Sequence, residues 1–237
     1  MADWAAKRFW TQAKGEAVEG GWQVKLDARS IKTPAGEPLI VPTEALASAI
    51  AAEWDAQEDL IDPRTMPMTR TANSAIDKVA PQRIAVVSIL SDYGATDLLS
   101  YRADGPRALV MRQSRLWDPI LDWAAQTLGA RLVVTEGVMP VPQDGAALDR
   151  LTAPMLAMSP FHLAAFHDLV ALSGSLVLAH AVIHGVHTPS EVWDLSRLDE
   201  DWQSEQWGDD EEARQAANRK RTAFLDAHRF WTLIDLK

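Results

Sequence analysis

Between Glu16 and Val41 the apolar residues fall into short runs that alternate with polar ones. Trp22, Val24 and Leu26 follow Gly20-Gly21, and Ile31 and Leu39-Ile40-Val41 come after them. A period of two is that of a half-buried strand, so residues 8–42 are predicted to be β structure. Gly20-Gly21, Asp27-Ala28-Arg29 and Pro34-Ala35-Gly36-Glu37 supply the turn chemistry. Connections this short join antiparallel neighbours. At Thr43 the period changes to that of a helix: Thr43 is placed to cap it, and Leu46, Ile50 and Trp54 share one face. Asp62-Pro63 breaks the chain, and Met66–Asp77 predicts a short helix opening at Pro67.

From Pro81 the pattern is mostly helical. Pro81 suits a first helical turn, and Ile84–Leu90 is apolar enough to be buried on most sides. Asp97–Asp104 fits either an extended or a helical form. Pro106 opens a helix along which Leu109, Gln113, Leu116 and Ile120 are spaced, with Pro119 as a possible kink. Gln113 and Trp117, four apart, predict a polar-tipped packing pair. Arg131–Thr135 is the one strand expected here. Ala146–Met158 predicts a helix, and Pro160–Leu172 with Ser175–His187 predict a helical hairpin around Ser173-Gly174. A basic helix is expected over Arg214–Arg229. The expected fold class is α+β, with a small antiparallel β-rich domain over residues 1–77 and a larger, mainly α-helical domain over 78–237.

Pro189–Ala213 breaks the ordinary pattern. It is strongly acidic, yet Trp193, Trp202 and Trp207 interrupt it. At helical spacing Leu195, Leu198 and Trp202 make one apolar stripe, and Glu191, Asp194, Glu200, Asp201 and Glu205 occupy the remaining circumference. Gly208 offers a stop, and Asp209–Glu212 can start a new helix. The stretch reads either as a docked helix with a solvated acidic face or as an acidic, aromatic-edged surface offered to another protein.

Composition removes several classes. The 237 residues are 47% hydrophobic and 24% charged, the balance of an ordinary globular protein. A net charge of −10, with no basic stripe, argues against nucleic acid. No cysteine is present, which removes thiol nucleophiles and Cys-ligated zinc. No apolar run is long enough to span a bilayer, so membrane insertion is not expected. MADWAAKRFW lacks the apolar core of a secretion signal, and a cytoplasmic setting is the expectation.

Candidate chemistry is sparse. His180, His184 and His187, at i, i+4 and i+7, would share a helical face and could ligate a metal, but no HExxH glutamate accompanies them. The metal- or carboxylate-dependent hydrolase that this face would serve is the alternative reading. His162 and His167, five apart, read as capping or packing residues. The pairs Glu53/Asp55 and Asp199/Asp201 are two apart and diverge on a helix. Ser173-Gly174-Ser175 lacks the G-x-S-x-G pattern, and Gly20-Gly21 lacks a phosphate-loop continuation. No nucleophile, base and orienter come together.

Several segments in collinear order carry a resemblance. They are KRFW at Lys7–Trp10, WQVKLDARSIKTPAGEPLIVPT at Trp22–Thr43 and AAEWDAQEDLIDPRTMPMTRTANSAID at Ala51–Asp77. TDLLSYRAD from Thr96, QSRLWDPILDWA at Gln113–Ala124 and RLDEDWQSEQWGDDEEA at Arg197–Ala213 follow. Together they resemble the ATP synthase F(1) assembly chaperones that attend the alpha subunit. Ala28 stands where relatives usually have Gly in an LDGR hairpin, and Asp199 where they usually carry Glu. The resemblance implies a two-domain protein without catalytic activity or cofactor, a monomer when free. It would bind unassembled alpha subunit and shield the surface that later meets beta, in the bacterial cytoplasm, or in the mitochondrial matrix for organellar relatives. With the acidic stretch it marks Asp199, Glu200, Trp202, Gln203, Trp207 and Gly208 as the candidate partner-binding residues.

Overall fold

In a computed structural model, which describes residues 7–208 and 210–236, the hairpin at Gly20-Gly21 closes as the alternation requires. β1 (Ala13–Val18) pairs antiparallel with β2 (Gly21–Leu26), Ala13 opposite Leu26 and Val18 opposite Gly21. β3 (Arg29–Ser30) pairs with the end of β2, and β4 (Ile40–Val41) with its beginning, both antiparallel. Gly21 is required by close approach: with φ at 148°, a Cβ there would lie 2.3 Å from the Val41 carbonyl oxygen. At the next turn Asp27 takes the left-handed conformation, φ 52°, and no other non-glycine residue among those described does so. The Asp27 carboxylate accepts from the amides of Thr11 and Gln12 and from the Thr11 hydroxyl, which holds it below the usual carboxylate range. Ala28 therefore needs no positive φ, and the glycine of relatives is not required for this turn.

α1 (Glu44–Asp55) lies on β1 and β2, burying Leu46, Ala47, Ile50 and Ala51. The Thr43 hydroxyl accepts from the Leu46 amide and donates to the Leu233 carbonyl at 2.6 Å. The carboxylates at the end of α1 and at Asp77 are structural. Glu53 accepts from the amides of Met68 and Thr69 at 2.6 and 2.8 Å and so caps α2 (Pro67–Ser74). Asp55 accepts from the Ala13 amide, and Asp77 from the Thr33 hydroxyl and the Ala35 amide. The expected Met66–Asp77 helix runs on through a wider, π-type turn over Ala75–Val79.

α3 (Arg83–Ala95) departs from expectation. Val87 and Leu90 are buried, but Ile84 is 71% and Ile89 54% exposed. A short run this apolar, with Ser88 as its one polar residue, has no period to show which side faces inward. A 3-10 turn at Leu98–Ser100 leads into β5 (Tyr101–Arg102), so Asp97–Asp104 is helical in its first part and extended in its second. α4 (Arg107–Trp123) carries Pro119 within it and ends, through a π-type turn, at Gly129. Arg131–Val134 is not a strand; only β6 (Thr135–Glu136) pairs, parallel to β5. The Gln143 side chain takes both backbone groups of Val133 in place of a neighbouring strand. α5 (Gly145–Ala157), α6 (Pro160–Ser173), α7 (Leu176–Ile183), α8 (Pro189–Ser196), α9 (Leu198–Trp207) and α10 (Glu211–Asp235) complete the chain. A small antiparallel β region followed by mostly helical structure makes this an α+β fold. No described helix is long and apolar enough to cross a membrane.

Backbone packing groups the chain into two units. The first takes residues up to Arg83, Ser159–Ala165 and those from Arg229 on. Its core joins Trp10, Val24, Leu46, Ile50, Ala165 and Phe230. The second takes Ile84–Met158 and Phe166–His228, around buried Leu99, Trp117, Leu151, Phe166 and Phe224.

Candidate functional site

The acidic stretch is two helices, not one. Thr188 and Glu191 form a reciprocal capping box at the start of α8. Arg197 interrupts the helix, with φ −106° and ψ 5°. The Trp117 indole nitrogen donates to the Leu195 carbonyl at 3.0 Å, a carbonyl that an unbroken helix would give to the Asp199 amide. The single stripe expected through Leu195, Leu198 and Trp202 is therefore broken. Leu195 and Leu198 are buried, and Trp202 is half-buried.

α9 is held against α4 at two places. Asp199 is half-buried, and its Oδ1 accepts from Gln113 Nε2 at 2.7 Å. Burial raises the Asp199 carboxyl above the usual range, against the lowering effect of the Gln113 bond. Gln113, 1% exposed, accepts from the Ala103 amide at 2.9 Å with its other end. Gln113 and Trp117 are thus the polar-tipped pair that their spacing suggests, one bonding Asp199 and the other Leu195. The second clamp is Arg112, whose two terminal nitrogens meet the two carboxylate oxygens of Glu205, each at 2.8 Å. The Arg112 guanidinium also lies 4.7 Å from the centre of the Trp202 ring. Glu205 is lowered by this pairing and Arg112 raised.

The outer side of α9 faces solvent. Glu200 pairs with Arg197 at 2.7 Å but remains exposed, as are Gln203 and Gly208. Trp207, at the end of the helix, is 80% exposed. Gly208 ends α9 at φ 91°. The six candidate residues therefore divide: Asp199 and Trp202 hold the helix, while Glu200, Gln203, Trp207 and Gly208 face solvent. Asp209, counted at sequence level in the start of the next helix, lies outside the described residues, and α10 begins at Glu211. A cleft of about 550 Å³ beside α9 is lined by Trp193, Arg197, Asp201, Glu205, Arg214 and Asn218. Its arginines are engaged with Glu200 and Glu211, so it offers no ready anion site.

The histidine face does not form. α7 ends at Ile183, and Gly185 takes φ 68°, so His187 leaves the helix that carries His180. His180 is fully buried and its Nε2 donates to the Leu151 carbonyl at 2.9 Å. Burial pushes its pKa down to about 4. His184 Nδ1 donates to the His180 carbonyl, and its ring meets Trp123. No three described His, Asp or Glu residues are placed to hold a metal. His162 bonds Ser159 and packs on Trp231, a capping and packing role.

Sequence reasoning passed over Arg112, which has no signal beyond standing next to Gln113. It also passed over Val138 and Met139, which are among the most exposed apolar side chains described.

Known proteins give a consistent match. Residues 7–125 match the family described as ATP12 chaperone protein. The chain is 24% identical over 224 residues to Protein atp12, mitochondrial, of Schizosaccharomyces pombe, covering 90% of this chain and 77% of that protein. It is 54% identical to a crystal structure of Atp12 from Paracoccus denitrificans, with a TM-score of 0.93 over 97% of this chain and 98% of the other. A protein of Agrobacterium tumefaciens is 42% identical, with a TM-score of 0.88 over 94% and 85% of the two chains.

Proposed function

The chain belongs to the ATP12 chaperone family, and on that premise we propose that it assists assembly of the F(1) sector of ATP synthase. In this reading it binds the unassembled alpha subunit, shields the surface that will meet beta, and is displaced when beta arrives. Its work is binding, not catalysis. An unassembled subunit exposes an apolar interface and risks aggregation, so a cover for it is of direct use. Its setting is the bacterial cytoplasm, as suits solved relatives from Paracoccus and Agrobacterium.

The observation that carries this reading is the outer side of α9, where Trp207 is 80% exposed at the end of a strongly acidic helix. A large aromatic left in water beside exposed carboxylates is the composition of an interface anchor with a polar rim. Glu200 and Gln203 flank it as hydrogen-bonding groups. Asp199 acts differently in this reading: with Oδ1 on Gln113, it positions α9. A surface this small and mixed favours moderate affinity, which suits a cover that the true partner must replace.

The test is co-expression with alpha and beta subunits separately, followed by co-purification. Recovery of alpha with little beta is the expected result. Equal recovery of both would remove the basis for the named client.

A further inference from the structure

The segment Val133–Pro142, VVTEGVMPVP, contains a single charged side chain, Glu136. Val138 is 89% exposed, Met139 74%, Val133 44% and Val134 42%. Apolar side chains gathered on one surface segment mark an interaction site or an aggregation liability. Both proline and valine resist the collapse that would hide them locally, since each restricts its own torsions.

The backbone beneath this tip is fastened. Gln143 accepts from the Val133 amide at 2.7 Å and donates to its carbonyl at 3.0 Å. Thr135 and Glu136 pair with Tyr101 and Arg102 across β5 and β6. Gly137 takes φ 75° and donates its amide to the Arg102 carbonyl at 2.7 Å. Val133–Gly137 is therefore fastened before anything binds, and a partner would bear the entropy of arranging only the tip beyond it.

The same fastening leads to α9. From Gly137 the bond runs to Arg102; the next residue, Ala103, donates to Gln113, and Gln113 donates to Asp199. Gln113 uses one end of its amide for each side. Each link is buried or half-buried, where an unmade hydrogen bond costs most.

We propose that Val133–Pro142 is the apolar half of the client surface, held in register with the acidic and aromatic half on α9 through Gln113. This rests on the client-binding reading given above. It specifies the face that fits: an apolar patch on the unassembled alpha subunit, bordered by lysine or arginine side chains. The charge-poor tip meets the patch, and Glu200 with its acidic neighbours meets the border. The net charge of −10 favours the same partner chemistry at longer range. Methionine at position 139 suits a client face that must be covered and then released, since its side chain adapts without fixed geometry.

The test uses the full chain and isolated alpha subunit. V138S/M139S alters two exposed side chains and leaves the melting temperature unchanged. Its affinity for alpha is expected to fall at least tenfold, while Ile84→Ser, at an exposed apolar site on α3, leaves affinity within twofold. A double-mutant cycle with Asp199→Ala is expected to give less than the product of the separate losses, because one bonded chain presents both halves. A strictly additive result overturns the shared register. A wild-type chain that binds alpha, with V138S/M139S binding equally well, overturns this inference alone. A wild-type chain that binds no alpha overturns the client reading and this one with it. Loss of binding in Ile84→Ser, but not in V138S/M139S, places the client on α3 and overturns it. So does a self-associated form of the free chain that V138S/M139S abolishes while alpha binding stays intact.

Discussion

Asp199 looks from sequence like one more solvated carboxylate in an acidic helix, yet it is half-buried and bonded to Gln113. That changes what substitution should do. Asp199→Ala leaves the buried Gln113 amide without an acceptor, a loss of about 1–3 kcal/mol. It should lower the melting temperature modestly and weaken alpha binding more. Asp199→Asn keeps an oxygen where Gln113 needs one, so stability and binding should both stay near wild type. If Asn binds as poorly as Ala, charge at this position touches the client and positioning is not its main role. Gln113 was readable as the tip of a packing pair, because four-residue spacing fixes which side chains share a helix face. Its partner was not readable, because Asp199 lies far away along the chain.

At the scale of elements, α9 shows how a short helix can be exposed and still be rigid. It buries Leu198, but the Arg112 clamp and the Asp199 bond hold it on α4. An exposed ion pair is worth about 0–1 kcal/mol, so Arg112→Ala should barely change folding stability. It should release Trp202 and Glu205 together and raise the amide exchange rate over residues 200–207, with alpha binding weakened several-fold. Unchanged exchange would mean that Leu198 and Asp199 alone hold the helix. Trp207→Ala should leave the melting temperature within about a degree, since surface substitutions stay within about ±0.5 kcal/mol. Alpha binding should fall at least tenfold, and no loss in a titration would remove Trp207 from the interface. The α8–α9 break was hidden from periodicity because the Trp117 indole takes the Leu195 carbonyl.

For the whole molecule, two buried groups set opposing pH dependences. Asp97 is fully buried, accepting from Ser175, Leu99 and Val177, and burial raises its pKa from 3.8 to about 6. Its contribution is favourable below the unfolded value and is lost as pH rises through about 6. His180 is lowered from 6.5 to about 4, so its contribution is present above 6.5 and lost as pH falls through about 4. Each amounts to about 3 kcal/mol across its window, and the windows nearly coincide, so the two largely cancel. His180→Gln keeps a donor for Leu151 and removes the titration, but it also loses the ring's packing on Phe166. It should be less stable than wild type at pH 7, and the gap should shrink by up to about 3 kcal/mol toward pH 4.5. Denaturant unfolding at stepped pH measures this, and a constant gap would show that His180 does not titrate in this range.

Elements whose cause is local could be read from the order of residues alone. Alternation made the N-terminal hairpins, Thr43 capped α1, and helical spacing paired Gln113 with Trp117, because backbone geometry repeats over two to four residues. The residues also carried the family resemblance, through motifs in collinear order along the chain. Long-range packing alone settles which face of α3 is bare and where the acidic stretch breaks. Such packing also places Ser159–Ala165 and the chain from Arg229 in the first unit. The same holds for the bonds that tie Asp199, Gln113 and the 133–142 loop together. These follow from burial and from hydrogen bonds between residues far apart in the chain, where no period in the sequence reaches.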